Sequence, residues 1–307
     1  MTTVADLEPG ARERPSAGVP RGRRIAGRRN NVLFLGMLAL LVYFMIPLWW
    51  LFVASTKTVG DLFSTFGLWF GSDFSLLANV QDTFTYDDGI YGRWMLNTIF
   101  YSVVSAGGAA FLAALGGYGF AKYRFRGNSP IFFFVLGSIM VPTTALAIPT
   151  YLLFSNVDLV NTRWAIILPA LASPFSLYLM RIYAEEGVPD SIIEAARIDG
   201  AGEFRIFFQV AMRMLAPGFV TVLLFTLVAT WNNYFLPLIM LNDPNLYPIT
   251  VGLANWYAQS AGGGGATGAV LPLVITGSLI SIVPLIAAFL LLARYWQTGL
   301  TAGGIKQ

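Results

Sequence analysis

The chain has 307 residues, 56% of them hydrophobic and only 11% charged, where soluble domains carry about 25% charge; this excludes a water-soluble globular fold and indicates an all-α chain that crosses the bilayer repeatedly. Cysteine and histidine are both absent, which removes disulfides, thiol nucleophiles, the commonest general base and the commonest transition-metal ligands. No catalytic residue, metal site or cofactor is therefore expected, and membrane topology accounts for the net charge of +3 without a nucleic-acid partner.

Charge-free runs locate the spans, because about 20 apolar residues cross a hydrocarbon core of roughly 30 Å. Six are expected. The first covers Val32 to Ser55, the second lies between Arg93 and Lys122, and the third between Arg126 and Asp158. A shorter fourth runs from Trp164 to Met180, the fifth lies between Arg213 and Asp243, and the sixth covers Val270 to Ala293.

The basic residues orient these spans. Sixteen of the nineteen Lys and Arg residues fall on one side: the amino-terminal tail, Lys122/Arg124/Arg126, the segment Arg181 to Arg213, and Arg294 with Lys306. Lys57, Arg93 and Arg163 fall on the other, among acids such as Asp61, Asp87 and Asp243. Both termini are thus expected in the cytoplasm. Residues 1–30 read as a basic, disordered cytoplasmic tail, and residues 31–307 as a six-helix transmembrane domain with a long cytoplasmic loop at 181–213. The glycine-rich stretch Ala261 to Gly268 reads as an outer linker, since no Gly-Lys-Ser/Thr follows it. Without such a phosphate loop anywhere, ATP chemistry would have to come from another polypeptide.

The 181–213 loop carries the most specific pattern. Val188-Pro189-Asp190-Ser191 supplies helix-start signals, and Ser191-Ile192-Ile193-Glu194 fits a capping box in which Glu194 reaches back to a free amide. Asp199-Gly200 would end the helix, glycine admitting the positive φ required there. Beyond it, Phe204, Phe207 and Phe208 share a helical face expected to pack against the spans.

Pro189, Glu194-Ala195-Ala196, Asp199-Gly200-Ala201, Phe207 and Pro217, in that order, resemble the EAA loop of binding-protein-dependent ABC importer permeases. Further segments are similar to maltose-type carbohydrate permeases: Ser55-Thr56-Lys57, Arg93 to Thr98, Gly117 to Gly127, Leu168-Pro169, Trp231 to Leu238, and the ending from Arg294 to Lys306. The resemblance implies a type I ABC importer transmembrane fold in a bacterial cytoplasmic membrane. It implies that Glu194, Ala195, Ala196, Asp199, Gly200 and Ala201 form a coupling helix seated in a cleft of an ATPase subunit. The implied partners are a second homologous permease chain, two ATP-binding cassette ATPase subunits and an extracytoplasmic solute-binding protein. The chain itself would be a non-catalytic pore-forming subunit for a carbohydrate, with an oligosaccharide favoured. Relatives often carry a proline at the position of Arg213 and an acid at that of Asn233.

No charged residue lies inside the six cores, which fits a neutral polar cargo. Trp231, Asn232, Asn233 and Tyr234 supply the aromatic faces and amides that a sugar path needs. For Trp231 and Tyr234 an interfacial belt is the favoured reading, whereas Asn232 and Asn233 would be costly against lipid and are expected to face protein or a water-filled path. A polyol, a sugar-phosphate or a peptide stays open as cargo, as does a carrier that works without an ATPase.

Overall fold

A computed structural model describes residues 26–261 and 267–302, with side chains described over 31–261, 270–293 and at Tyr295. Most of the basic tail, the centre of the glycine-rich linker and the final residues lie outside the described part. The described residues are helical and contain no strand. In chain order the helices are α1 (Ala26–Ser55), α2 (Val59–Ser64), α3 (Leu76–Thr85), α4 (Ile90–Lys122), α5 (Asn128–Ser138), α6 (Ala147–Ser155) and α7 (Trp164–Leu171). There follow α8 (Pro174–Gly187), α9 (Asp190–Ile198), α10 (Glu203–Arg205), α11 (Met212–Trp231), α12 (Phe235–Met240), α13 (Ile249–Ala261) and α14 (Thr267–Ala302).

The chain divides into two compact units at Leu48/Trp49. In the first, every described side chain from Asn31 to Leu48 is exposed along helix α1. In the second, α4 is the hub, with α7, α8, α11 and α13 packed on it. Its inward face is a run of small residues, Ala106, Ala109, Ala110, Ala113, Ala114 and Gly117, all buried. Small side chains let helix backbones approach closely, which is how membrane helices gain contact without a hydrophobic driving force. Ala110, Ala113 and Ala114 share a core cluster with residues that include Met180, Ala184, Ile206, Phe207, Leu215 and Val222.

Five stretches are long and apolar enough to cross a bilayer: Asn31–Ser55, Leu76–Lys122, Trp164–Gly187, Glu203–Trp231 and Val270–Ala293. Five of the six expected spans, the first, second, fourth, fifth and sixth, overlap these stretches. The expected third span does not. Between Arg126 and Asp158 the chain forms the short helices α5 and α6, separated by a segment containing Pro142. Proline cannot donate to a helical ladder, and the neighbouring amides turn to carbonyls three residues back, as in Val141 to Ser138, Ala145 to Pro142 and Leu146 to Thr143.

The fourth span also runs past its expected end at Met180, α8 continuing to Gly187 after a break before Pro174. Ser173 caps α8 by accepting from the Ser176 amide. Arg181 stays on this helix by placing its guanidinium 3.9 Å from the Phe132 ring centroid and pairing with Glu185. The fifth helical stretch begins early, at Glu203, and continues unbroken through Arg213. Only Val188 to Gly202 separates α8 from it, so the connection is shorter than the expected 181–213.

Candidate functional site

Helix α9 occupies this connection. Its start differs from the expected capping box. The helix begins at Asp190, one residue before Ser191, with Pro189 at the N-cap and no side-chain cap bond. Glu194 is therefore exposed on the helix instead of folded back to its start, and Asp190 supplies the negative charge that the helix N-terminus favours. Lys122 donates a 2.8 Å bond to Asp190 and holds its carboxyl below the usual carboxylate range, first by that hydrogen bond and then by its charge.

The helix end matches expectation. Gly200 has φ +78°, its amide bonds to Arg197 O, and the Ala201 amide bonds to Ala196 O, both at 3.0 Å. This pair of bonds is a Schellman cap, which requires the left-handed residue that glycine accepts without strain. Ala196 and Ala201 pack inward on the core cluster. Glu194, Ala195, Asp199 and Gly200 face outward, as does Ile198, 87% exposed. Ile193 is the one buried side chain of α9. The result is a short helix whose open face joins a methyl-sized residue, an acid and a large aliphatic side chain.

The aromatic stripe splits. Phe207 is buried against Tyr118 and Phe208 stacks on Phe111, but Phe204 is 80% exposed. Residues Ile206 to Ala211 form a π-helical turn, whose wider pitch breaks the three-and-four spacing expected of an α-helix.

Around α9 lies a network that the loop pattern alone did not reveal. Arg197 makes a two-pronged pair with Glu203, at 2.7 and 3.2 Å, and Tyr123 donates to the same carboxylate at 2.5 Å. The available signal was the Gly117 to Gly127 segment, already singled out but without a role for Lys122 or Tyr123.

The second candidate group lies at the other end of α11. Trp231 is buried as the last residue of that helix, and Asn232 caps it, its side-chain amide donating to Val228 O. Asn233 is half-buried, and its carbonyl accepts from Thr250. Tyr234 is exposed at the start of α12. Asn232, Asn233 and Tyr234 form the non-helical joint between α11 and α12, directly after Trp231.

Near this joint, α4 pins the segment that follows α12. Trp94 donates to Pro244 O, Asn97 to Asn245 O and Tyr247 O, and Tyr101 to Leu246 O. Asn161 accepts from the amides of Asn242 and Asp243. The Arg93-Trp94-Met95-Leu96-Asn97-Thr98 motif thus works as a clasp on one loop. Among the described residues, no cluster of three or more acidic side chains could hold a metal ion.

Comparison with known proteins places this geometry. Residues 106–297 match the family described as binding-protein-dependent transport system inner membrane component. The arabinooligosaccharides transport system permease protein AraQ of Bacillus subtilis (strain 168) is 31% identical over 89% of this chain and 94% of its own length. The melibiose/raffinose/stachyose import permease protein MelC of the same organism is 27% identical over 92% of this chain and 99% of its own. A crystal structure of a bacterial ABC transporter involved in the import of the acidic polysaccharide alginate shares the fold, with TM-score 0.75, 23% identity, and coverage of 88% of this chain and 98% of the solved one. The chain is a member of the binding-protein-dependent transport system inner membrane component family, a multi-pass membrane permease of the ABC transporter class.

Proposed function

We propose that this chain is the pore-forming, non-catalytic subunit of an ATP-driven importer for a neutral oligosaccharide. The observation that carries the proposal is α9: a short helix with an open face at Glu194, Ala195, Asp199 and Gly200, backed by Ala196 and Ala201. A helix that buries one side chain of its own is suited to seat in a partner's cleft. The partner is an ATP-binding cassette ATPase, present in two copies, beside a second homologous permease and an extracytoplasmic solute-binding protein.

In this reading α5 and α6 together make the third of six crossings. An even number of crossings and the bias of basic residues put both termini in the cytoplasm. Residues 31–307 are the permease domain, and residues 181–213 its cytoplasmic coupling region. ATP binding draws the coupling helices of the two permeases together and turns the pore outward; hydrolysis resets it.

Oligosaccharide cargo is supported by relatives whose names specify arabinooligosaccharides, melibiose/raffinose/stachyose and maltodextrin, and by cores free of charged side chains. The α11–α12 joint, with Trp231, Asn232, Asn233 and Tyr234, is the proposed lining of the path. The test is gentle solubilisation from the native membrane, mass spectrometry of what co-purifies, and uptake of labelled arabinotriose, raffinose and maltotriose with and without the gene. An accompanying Walker-A ATPase and gene-dependent uptake of one of these sugars support the proposal. Sugar uptake that persists in the absence of any ATPase would assign the chain to a carrier.

A further inference from the structure

The open face of α9 needs a fixed orientation to transmit a push, and its own packing supplies little. Nine residues are too few for a stable free helix, Ile193 alone is buried, and the flanks Val188-Pro189 and Gly200-Ala201-Gly202 are short connections. Two polar tethers hold it instead, and they leave from consecutive residues. Lys122, the last residue of α4, has a side chain only 7% exposed and reaches Asp190, the first residue of α9. Tyr123 has extended backbone, φ −111° and ψ 135°, so its side chain diverges from that of Lys122 and reaches Glu203, which grips Arg197 in the last turn of α9.

The point of divergence is itself fixed. The Tyr123 amide donates to Gly119 O, and Asn128 donates to both Phe120 O and Tyr123 O, at 3.1 and 2.9 Å. The Tyr123 ring stands edge-on to Tyr118 at 5.8 Å. Burial, then the bond to Glu203, pushes its phenol well above the usual value, which keeps the donor proton in place.

We propose that Lys122 and Tyr123 form a yoke at the end of α4 that holds both ends of α9 and carries the partner's motion into α4, the helix on which α7, α8, α11 and α13 pack. These are positioning residues, and their role rests on the reading of α9 as the ATPase contact. Two tethers on one helix end resist rotation of α9, which either alone would permit.

The native chain has no cysteine, so a nitroxide placed by Ser191→Cys, an exposed residue of α9, is the single label on this chain, and the same labelling of the complex with Ser191 intact supplies the partners' background to subtract. The experiment uses the assembled complex with its co-purified ATPase, and compares the label's spectrum without nucleotide and with ATP plus vanadate. With Lys122 and Tyr123 intact, the label is ordered and its spectrum changes on trapping. Tyr123→Phe, which removes one oxygen, weakens that change, and K122M/Y123F abolishes it at unchanged complex yield. The charge exchange Lys122→Asp with Asp190→Lys restores it relative to Lys122→Asp alone. Unaltered order and an unaltered ATP response in K122M/Y123F overturn the yoke while leaving α9 as the ATPase contact. A wild-type complex that lacks an ATPase, or whose label ignores ATP, overturns the contact reading and the yoke with it.

Discussion

Gly117 of α4 lies against the backbone of Met180 on α8: a methyl group there would stand 2.7 Å from the Met180 carbonyl carbon and 2.6 Å from the Arg181 amide nitrogen. Backbone cannot move aside as a side-chain tip can, so the two helices meet at a distance that only glycine permits. Gly119, two residues on, has open space around its Cβ position. Gly117→Ala is expected to destabilise the chain by about 1–3 kcal/mol, the usual cost of overpacking, whereas Gly119→Ala is neutral or stabilising by up to about 1 kcal/mol from helix propensity. Thermal unfolding in mild detergent, followed by fluorescence-detected size exclusion, separates the two.

Gly200 is constrained in the opposite way. Nothing lies within 4 Å of its Cβ position, but its φ is +78°. Proline would force φ to about −65° and delete the amide that bonds Arg197 O. Gly200→Pro is expected to leave membrane insertion intact and to remove the ATPase from the purified complex. Gly200→Ala, costing roughly 1 kcal/mol for a left-handed alanine, is expected to retain most of it. Equal ATPase recovery in Gly200→Pro and wild type would contradict the cap's role.

The Lys122–Asp190 pair has a defined pH window. Asp190 is held below its ordinary value by Lys122, with Arg124 and Arg197 adding in the same direction. A depressed carboxylate contributes its stability above the unfolded value of about 3.9 and loses it as pH falls through the lower folded value. A double-mutant cycle of Lys122→Met and Asp190→Asn should therefore give the same coupling at pH 8 and pH 5, and a smaller one at pH 3.5. A coupling that fades between pH 8 and pH 5 would assign the effect to another group.

Asn97 satisfies the carbonyls of Asn245 and Tyr247 at once. Asn97→Leu leaves both of these part-buried carbonyls without that donor, a loss of about 0.5–1.5 kcal/mol for each bond. The expected readout is faster proteinase K cleavage between Leu241 and Pro248, with cleavage elsewhere unchanged. An unchanged rate would show that Trp94 and Tyr101 hold the loop without it.

Much of this was legible in the linear chain. Charge-free length located most spans because the bilayer admits little else, and Asp199-Gly200 marked a helix end because backbone sterics are local. The extent of the third span was not legible, since Pro142 sits among apolar residues that read as one run. Ser191 and Glu194 matched a capping pattern, but the helix begins at Asp190, and one residue of shift removes the geometry on which the pattern depends. The exposure of Phe204 escaped because a π turn alters the period that the reading assumes. The tethers of Lys122 and Tyr123 join residues about 70 to 80 positions apart, and no local rule pairs them.

The break between α5 and α6 also sets an order of assembly. Helices α5 and α6 are about 16 and 14 Å long at 1.5 Å per residue, each near half of a hydrocarbon core. Each leans on a helix made later: α5 on α8, and α6 on α12. Helix α12 begins some 80 residues after α6 ends, which at about 5–20 residues per second is roughly 4–16 s of synthesis. For that interval α6 has no α12 to rest on, and a nascent chain arrested before Phe235 would present it to the membrane's quality-control proteases.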